Sequence, residues 1–113
     1  MFWGAYQYGT VWDDLYSVCD EDTQCTIDHR LDALREKGNQ AREPISKHLE
    51  DGIFELRAKD KRFLYYFSES REIIFIHAFI KKRNEVLRAH IEKAKERRNE
   101  IRRWRLSPNA LDN

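Results

Sequence analysis

The sequence predicts an α+β fold: a small antiparallel β-sheet meander packed against N-terminal helices, with a C-terminal helix after it. Three observations carry that class. Residues 53–79 show strand-like stretches separated by two turns. Ahead of them, Ile27, Leu31 and Leu34 recur at helical spacing and stop at Gly38. Beyond Lys82, a long run rich in Lys, Arg and Glu carries one apolar stripe.

In chain order, residues 2–12 are aromatic and punctuated by glycine, and predict a first strand of poor alternation. Asp13 and Asp14 open a short helix over Asp13–Asp20, where early acids suit the positive end of the helix dipole. The next helix takes Thr26 as its N-cap and Gly38 as its stop, with Asp28, Arg30, Asp32 and Arg35 toward solvent. Pro44 then opens a turn of helix through PISKHLEDG, and Gly52 releases the chain into the sheet.

In Ile53–Lys59, Phe54, Leu56 and Ala58 share one face, and Glu55, Arg57 and Lys59 the other. Asp60 and Lys61 make the turn. Arg62–Phe67 places Phe63, Tyr65 and Phe67 on one face and Arg62, Leu64 and Tyr66 on the other. Glu72–Phe79 is apolar almost throughout, as a central strand covered on both faces would be. In the last helix Leu87, Ile91, Ala94 and Ile101 form the stripe, and Arg98 interrupts it. Ser107-Pro108 ends that helix, and residues 106–113 read as a frayed tail.

A chain of 113 residues suits a single domain, 1–113, with a modest core. The net charge of +1 hides a division: six acids and no Lys or Arg lie in Asp13–Asp28, whereas Lys81–Arg105 holds eleven Lys or Arg against four Glu. A basic C-terminal third suits a polyanion binder, and equally a solvated helix face. Cys19 and Cys25 are the only cysteines; they read as reduced thiols, too few for a disulfide framework or a zinc site. No apolar run approaches the roughly 18 residues of a membrane helix, and there is no export signal, so a cytoplasmic protein is expected.

The polar face of the meander, with Glu55, Arg57, Arg62 and Tyr66, has the chemistry an RNA strand requires. Guanidinium groups neutralise phosphates, and a tyrosine ring can stack on an unpaired base. By spacing alone, a solvated outer face explains the same pattern.

Four segments in order resemble the RelE/HigB-like superfamily of toxin–antitoxin toxins, and its phage-derived HigB-type branch in particular. They are the helix with Leu31 and Leu34, the segment KHLEDGIFELR, the strand start RFLYYF, and IHAFIKK followed by Ala94. KHLEDGIFELR is similar to K-x-L-x-x-G-x-x-E-L-R through Lys47, Leu49, Gly52, Glu55, Leu56 and Arg57. HAFIKK is similar to H-x-F-x-K-K through His77, Phe79, Lys81 and Lys82. Leu87 and His90 depart from the branch, which has proline and glutamate after the lysine pair.

That resemblance implies a RelE-like endoribonuclease toxin that cleaves mRNA on the ribosome, inhibits translation, and needs neither metal nor cofactor. It also implies a cognate antitoxin, of the HigA-like helix-turn-helix kind, in a toxin–antitoxin hetero-oligomer. The implied reaction is attack of a ribose 2′-OH on the adjacent phosphate, with the protein stabilising the developing charge. The expected catalytic residues are Arg62, Lys82, Lys81 and His77, and the expected RNA contacts are Arg57, Glu55, Tyr66 and Arg83. Arg62 stands first because it starts a strand; its structural alternative is an ion pair with Glu55. His77 is either an acid–base group or a packing histidine, and His90 has no motif behind it. A non-catalytic RNA- or protein-binding module on the same scaffold is the competing function.

Overall fold

A computed structural model describes residues 2–83, 87–104 and 107–111. Its elements are β1 (Gly4–Gln7), α1 (Val11–Tyr16), α2 (Glu21–Lys37), a 3-10 turn (Gly38–Gln40), β2 (Lys47–Glu50), β3 (Ile53–Ala58), β4 (Lys61–Ser68), β5 (Glu72–Ile80), α3 (Arg88–Trp104) and β6 (Asn109–Ala110). The expected meander is β3-β4-β5, paired antiparallel throughout. It sits inside a six-stranded mixed sheet of order β2-β3-β4-β5-β1-β6, in which β1 runs parallel to β5. The class is therefore α+β as expected, and the sheet is larger than the meander alone.

Both faces of the sheet are covered. On one, α1 and α2 bury Trp12, Ile27, Leu31 and Leu34 against Leu56, Phe63, Tyr65 and Phe75. Trp12 lies 4.3 Å from the ring of Phe63 and 4.6 Å from that of Phe75. On the other, α3 sets Ala94 and Ile101 over Ile53, Leu64, Tyr66, Ile74 and Ile76, and Ile91 is buried on the same helix. Alternation along β3 and β4 divides the side chains between these two cores, as the pleat requires.

Several local expectations are corrected. KHLE is β2, not a turn of helix: Asp51 (φ 49) and Gly52 (φ 74) form a two-residue hairpin turn between β2 and β3. Asp-Gly with both central residues at positive φ is a favoured hairpin connection, and Gly52 takes that conformation without steric cost. The next turn is Lys59-Asp60, since Lys61 already pairs with Ala58. The second helix starts earlier, because Asp20 rather than Thr26 is its cap and accepts from the Thr23 amide at 2.8 Å. Thr26 lies inside α2 and turns its hydroxyl back to the Asp22 carbonyl. The stop at Gly38 holds: its φ is +56, and a Cβ there would collide with the indole of Trp3. The first helix is α1, shifted toward the N-terminus, where buried Gln7 accepts from the amides of Trp12 and Asp13 and so caps it from β1.

Two corrections concern the ends. Within the stretch expected to fray, Asn109–Ala110 pairs antiparallel with β1, and Leu111 donates its amide to the Ala5 carbonyl. Residues 105 and 106, where the last helix was expected to end, and residues 84–86 after the lysine pair lie outside the described residues.

Candidate active site

The face of the sheet that carries Glu55, Arg57, Arg62 and Tyr66 is the face under α3. Register places Glu55, Leu64 and His77 in one row across β3, β4 and β5, and Arg57, Arg62 and Phe79 in the next. With about 4.8 Å between strands, these six side chains form one patch beside the N-terminal end of α3.

Glu55 organises the β3 side of the patch. It is 2% exposed, and its Oε1 lies 3.1 Å from Nη2 of Arg57 and 3.7 Å from Nε of Arg62. Arg57 also donates through Nε at 3.2 Å, while half of its side chain stays open to solvent. Arg62 is buried, 7% exposed. Its Nη1 donates to the carbonyls of Lys59 (2.6 Å) and Lys61 (3.2 Å), and its Nε has no hydrogen-bond partner. Burial lowers the pKa of Arg62 from the ordinary guanidinium value, and the charge of Glu55 opposes that shift. The ion pair raised as the structural alternative for Arg62 is present. Arg57 is the arginine whose guanidinium a ligand can reach.

His77 owes its position to a bulge. Leu64 pairs with His77 and Tyr65 with Phe75, so Ile76 is an extra residue in β5. The bulge breaks alternation, so Ile76, His77 and Phe79 all face α3 while Phe75 faces the opposite core. His77 is thus separated from Phe75, with which strict alternation would group it. Its Nε2 is 2.8 Å from Nδ1 of His90 and its Nδ1 is 3.3 Å from Nη1 of Arg97. Arg97 also donates to the Ile76 carbonyl at 2.9 Å, filling the bulge, and lies over the ring of Tyr8. An arginine only donates, so Nδ1 of His77 is the acceptor and Nε2 carries the proton that points to His90. Burial, then the charge of Arg97, lowers the pKa of His77 to about 4, so it is neutral at pH 7. His90 stacks flat on Phe79, with centroids 3.7 Å apart.

The remaining expected residues are divided by burial. Lys81 is half-buried and donates its backbone amide to Asp60; Lys82 and Arg83 are exposed at the end of β5, beside the patch. Tyr66 is corrected: it is 3% exposed with Arg102 over its ring, so it has no face free to stack on a base. Sequence reasoning missed Arg97. Its signal was the seven-residue spacing from His90, which puts both on one helix face; the partner strand became visible only with the fold.

Among the described residues, no group of three or more His, Cys, Asp or Glu side chains could hold a metal ion. No described helix is long and apolar enough to cross a membrane.

The six-stranded sheet, with two helices on one face and a basic helix on the other, is an α+β fold similar to a RelE toxin structure. The chain belongs to the phage-derived protein Gp49-like (DUF891) family, whose match covers residues 16–99. The fold is also similar to the crystal structure of the toxin–antitoxin complex RelBE2 from Mycobacterium tuberculosis, with a TM-score of 0.53 and 14% identity, over 72% of this chain and all of that one. No curated protein matches. The likeness read from KHLEDGIFELR and HAFIKK is thereby borne out in family and in fold.

Proposed function

We propose that this protein is the toxin of a toxin–antitoxin pair, a metal-independent endoribonuclease that cleaves mRNA on the ribosome and so inhibits translation in the cytoplasm. The observation that carries this reading is the Glu55–Arg57–Arg62 constellation on the α3 face, inside the stretch matched to the family. In the reaction the ribose 2′-oxygen bonds to the adjacent phosphorus and the bond from phosphorus to the 5′-oxygen breaks. The 2′-hydroxyl loses its proton and the 5′-oxygen gains one, leaving a 2′,3′-cyclic phosphate and a 5′-hydroxyl. Arg57, aimed by buried Glu55, faces the developing phosphorane charge, the kind of stabilisation that commonly contributes most to catalysis. Arg62 holds Glu55 from behind, and Lys81, Lys82 and Arg83 supply positive charge along the RNA. A HigA-like helix-turn-helix antitoxin is the expected partner, and a hetero-oligomer the expected resting form.

The test is induced expression of the wild type beside Arg57→Ala, Arg62→Ala and Lys82→Ala, with mapping of mRNA 5′ ends. Growth arrest with new 5′ ends, reduced in the variants, supports the reading. A wild type that neither arrests growth nor yields new ends overturns it. The second reading, a non-catalytic RNA-binding module, draws on the burial of Arg62 and on its two carbonyl partners. RNA binding without new ends would establish that one.

A further inference from the structure

A second cationic feature adjoins the patch on its β2 side. There, a cleft of about 150 Å³ is lined by Arg30, Glu43, Pro44, Lys47, Glu55 and Arg57. Its three cations come from three elements, α2, β2 and β3. Lys47 is registered opposite Glu55 across β2 and β3, so it continues the row of Glu55 and His77 to the edge of the sheet. The guanidinium of Arg30 is held in place from behind, because its Nη1 donates to the Pro44 carbonyl.

The charge balance of this cleft favours an anion. Glu55 is already engaged by Arg57 and Arg62, and Glu43 is the only other acid lining it. Lys47 is exposed and makes no ion pair among the described residues. Behind the cleft, Arg62 offsets the Glu55 carboxylate, which leaves the lining net positive. Two anchored guanidinium groups and one adaptable ammonium around a concavity suit one tetrahedral oxyanion, which guanidinium forks meet with paired, charge-assisted hydrogen bonds.

We propose that this cleft is an accessory subsite for a phosphodiester group of the RNA flanking the cleaved bond, held by Arg30 and Lys47 with Arg57 shared between cleft and patch. The assignment rests on the endoribonuclease reading and deepens it. Arg62, Arg57 and Lys47 sit on adjacent strands β4, β3 and β2, so a bound strand crosses the sheet toward its β2 edge over about 10 Å. Lys47 and Arg30 lie at the far end of that path. They bind the chain without touching the reacting atoms.

The measurement is binding of a single-stranded RNA that carries one 2′-deoxy nucleotide at the mapped cleavage position, by anisotropy over a series of salt concentrations, together with cleavage kinetics on ribosomes programmed with the ribonucleotide parent. Arg30→Gln and Lys47→Gln should each weaken binding about threefold to tenfold and reduce the salt slope by about 0.7. KM should rise while kcat holds, because only uniform binding is lost. Lys37→Gln, at the end of α2 and outside the lining of the cleft, is the control and should leave Kd unchanged. If Arg30→Gln and Lys47→Gln bind and cleave like the wild type, the subsite is wrong while the nuclease reading stands. If the wild type binds RNA through these two residues but never cleaves it, on the ribosome or off it, the nuclease reading fails and the subsite stands. Cleavage on the ribosome with no binding of free RNA and no effect of the two substitutions overturns the subsite alone; neither binding nor cleavage by the wild type overturns both, and leaves the acidic side chains of a protein partner as the occupant.

Discussion

Arg57 and Arg62 face each other in the ladder, yet burial separates their roles. The half-exposed guanidinium of Arg57 has a buried carboxylate behind it and solvent ahead. Removing it leaves Glu55 still neighboured by Arg62, so Arg57→Ala should cost little stability and lower kcat/KM for RNA cleavage about a hundredfold. Arg62→Ala strips buried Glu55 of its buried cation and leaves two turn carbonyls without their donor. That substitution should lower unfolding free energy by about 3 kcal/mol, measured by chemical denaturation. Equal stability of the two variants would contradict this division. His77 adds a pH dependence. In the unfolded chain it protonates near the ordinary value of about 6.5, whereas the fold keeps it neutral down to about 4. Its contribution is therefore complete above pH 6.5 and is lost as the pH falls toward 4. The ring is partly open to solvent, which screens the effect, so the loss should be about 1–2 kcal/mol. Denaturation of wild type and His77→Gln between pH 7 and 4 should show that difference; parallel curves would remove the argument.

At the scale of elements, α3 is held to the sheet by apolar packing and by a set of charged contacts. Arg98 sits beneath it, 5% exposed, and reaches the carbonyl and carboxylate of Asp51 in the β2–β3 turn. Arg88 and Lys95 hold Glu50, the last residue of β2 before that turn, and their hydrogen bonds keep that carboxyl at a pKa of about 2. The turn and the helix therefore form one clasp. Replacing Arg98 with Met keeps most of the buried volume, and Asp51, mostly exposed, is hydrated again. Arg98→Met should stay within about 1 kcal/mol of the wild type, while Arg98→Ala opens a cavity and should cost about 2 kcal/mol or more. Thermal melts of the two variants decide it; an equal loss in both would mean that the ion pair, not the packing, holds the helix.

For the whole molecule, the acids of α1 and the start of α2 oppose the basic α3 in charge, and under the proposed function that asymmetry steers RNA toward the α3 side. Cleavage by 2′-OH attack requires that hydroxyl at one nucleotide only. A single 2′-deoxy substitution there should abolish the cut and move no other. End-group analysis of the products checks the chemistry: a 2′,3′-cyclic phosphate is expected, and a 3′-hydroxyl with a 5′-phosphate would refute the mechanism.

The sequence by itself determined the meander, the helix that stops at Gly38, the basic last helix and the family, because period and motif are local properties. Alternation in Ile53–Ala58 and Lys61–Ser68 assigned the two faces correctly. The Asp51-Gly52 hairpin was legible too, but Pro44 and the apolar spacing of Ile45 and Leu49 pointed to helix instead. Of the patch, the sequence could show that Glu55, Arg57 and Arg62 share a face, though not that α3 covers much of it. Only the tertiary structure decided that Arg62 and Tyr66 are buried, that a bulge at Ile76 turns His77 toward His90 and Arg97, and that β1 and β6 complete the sheet. Each of these depends on contacts between residues far apart in the chain, for which local spacing carries no information.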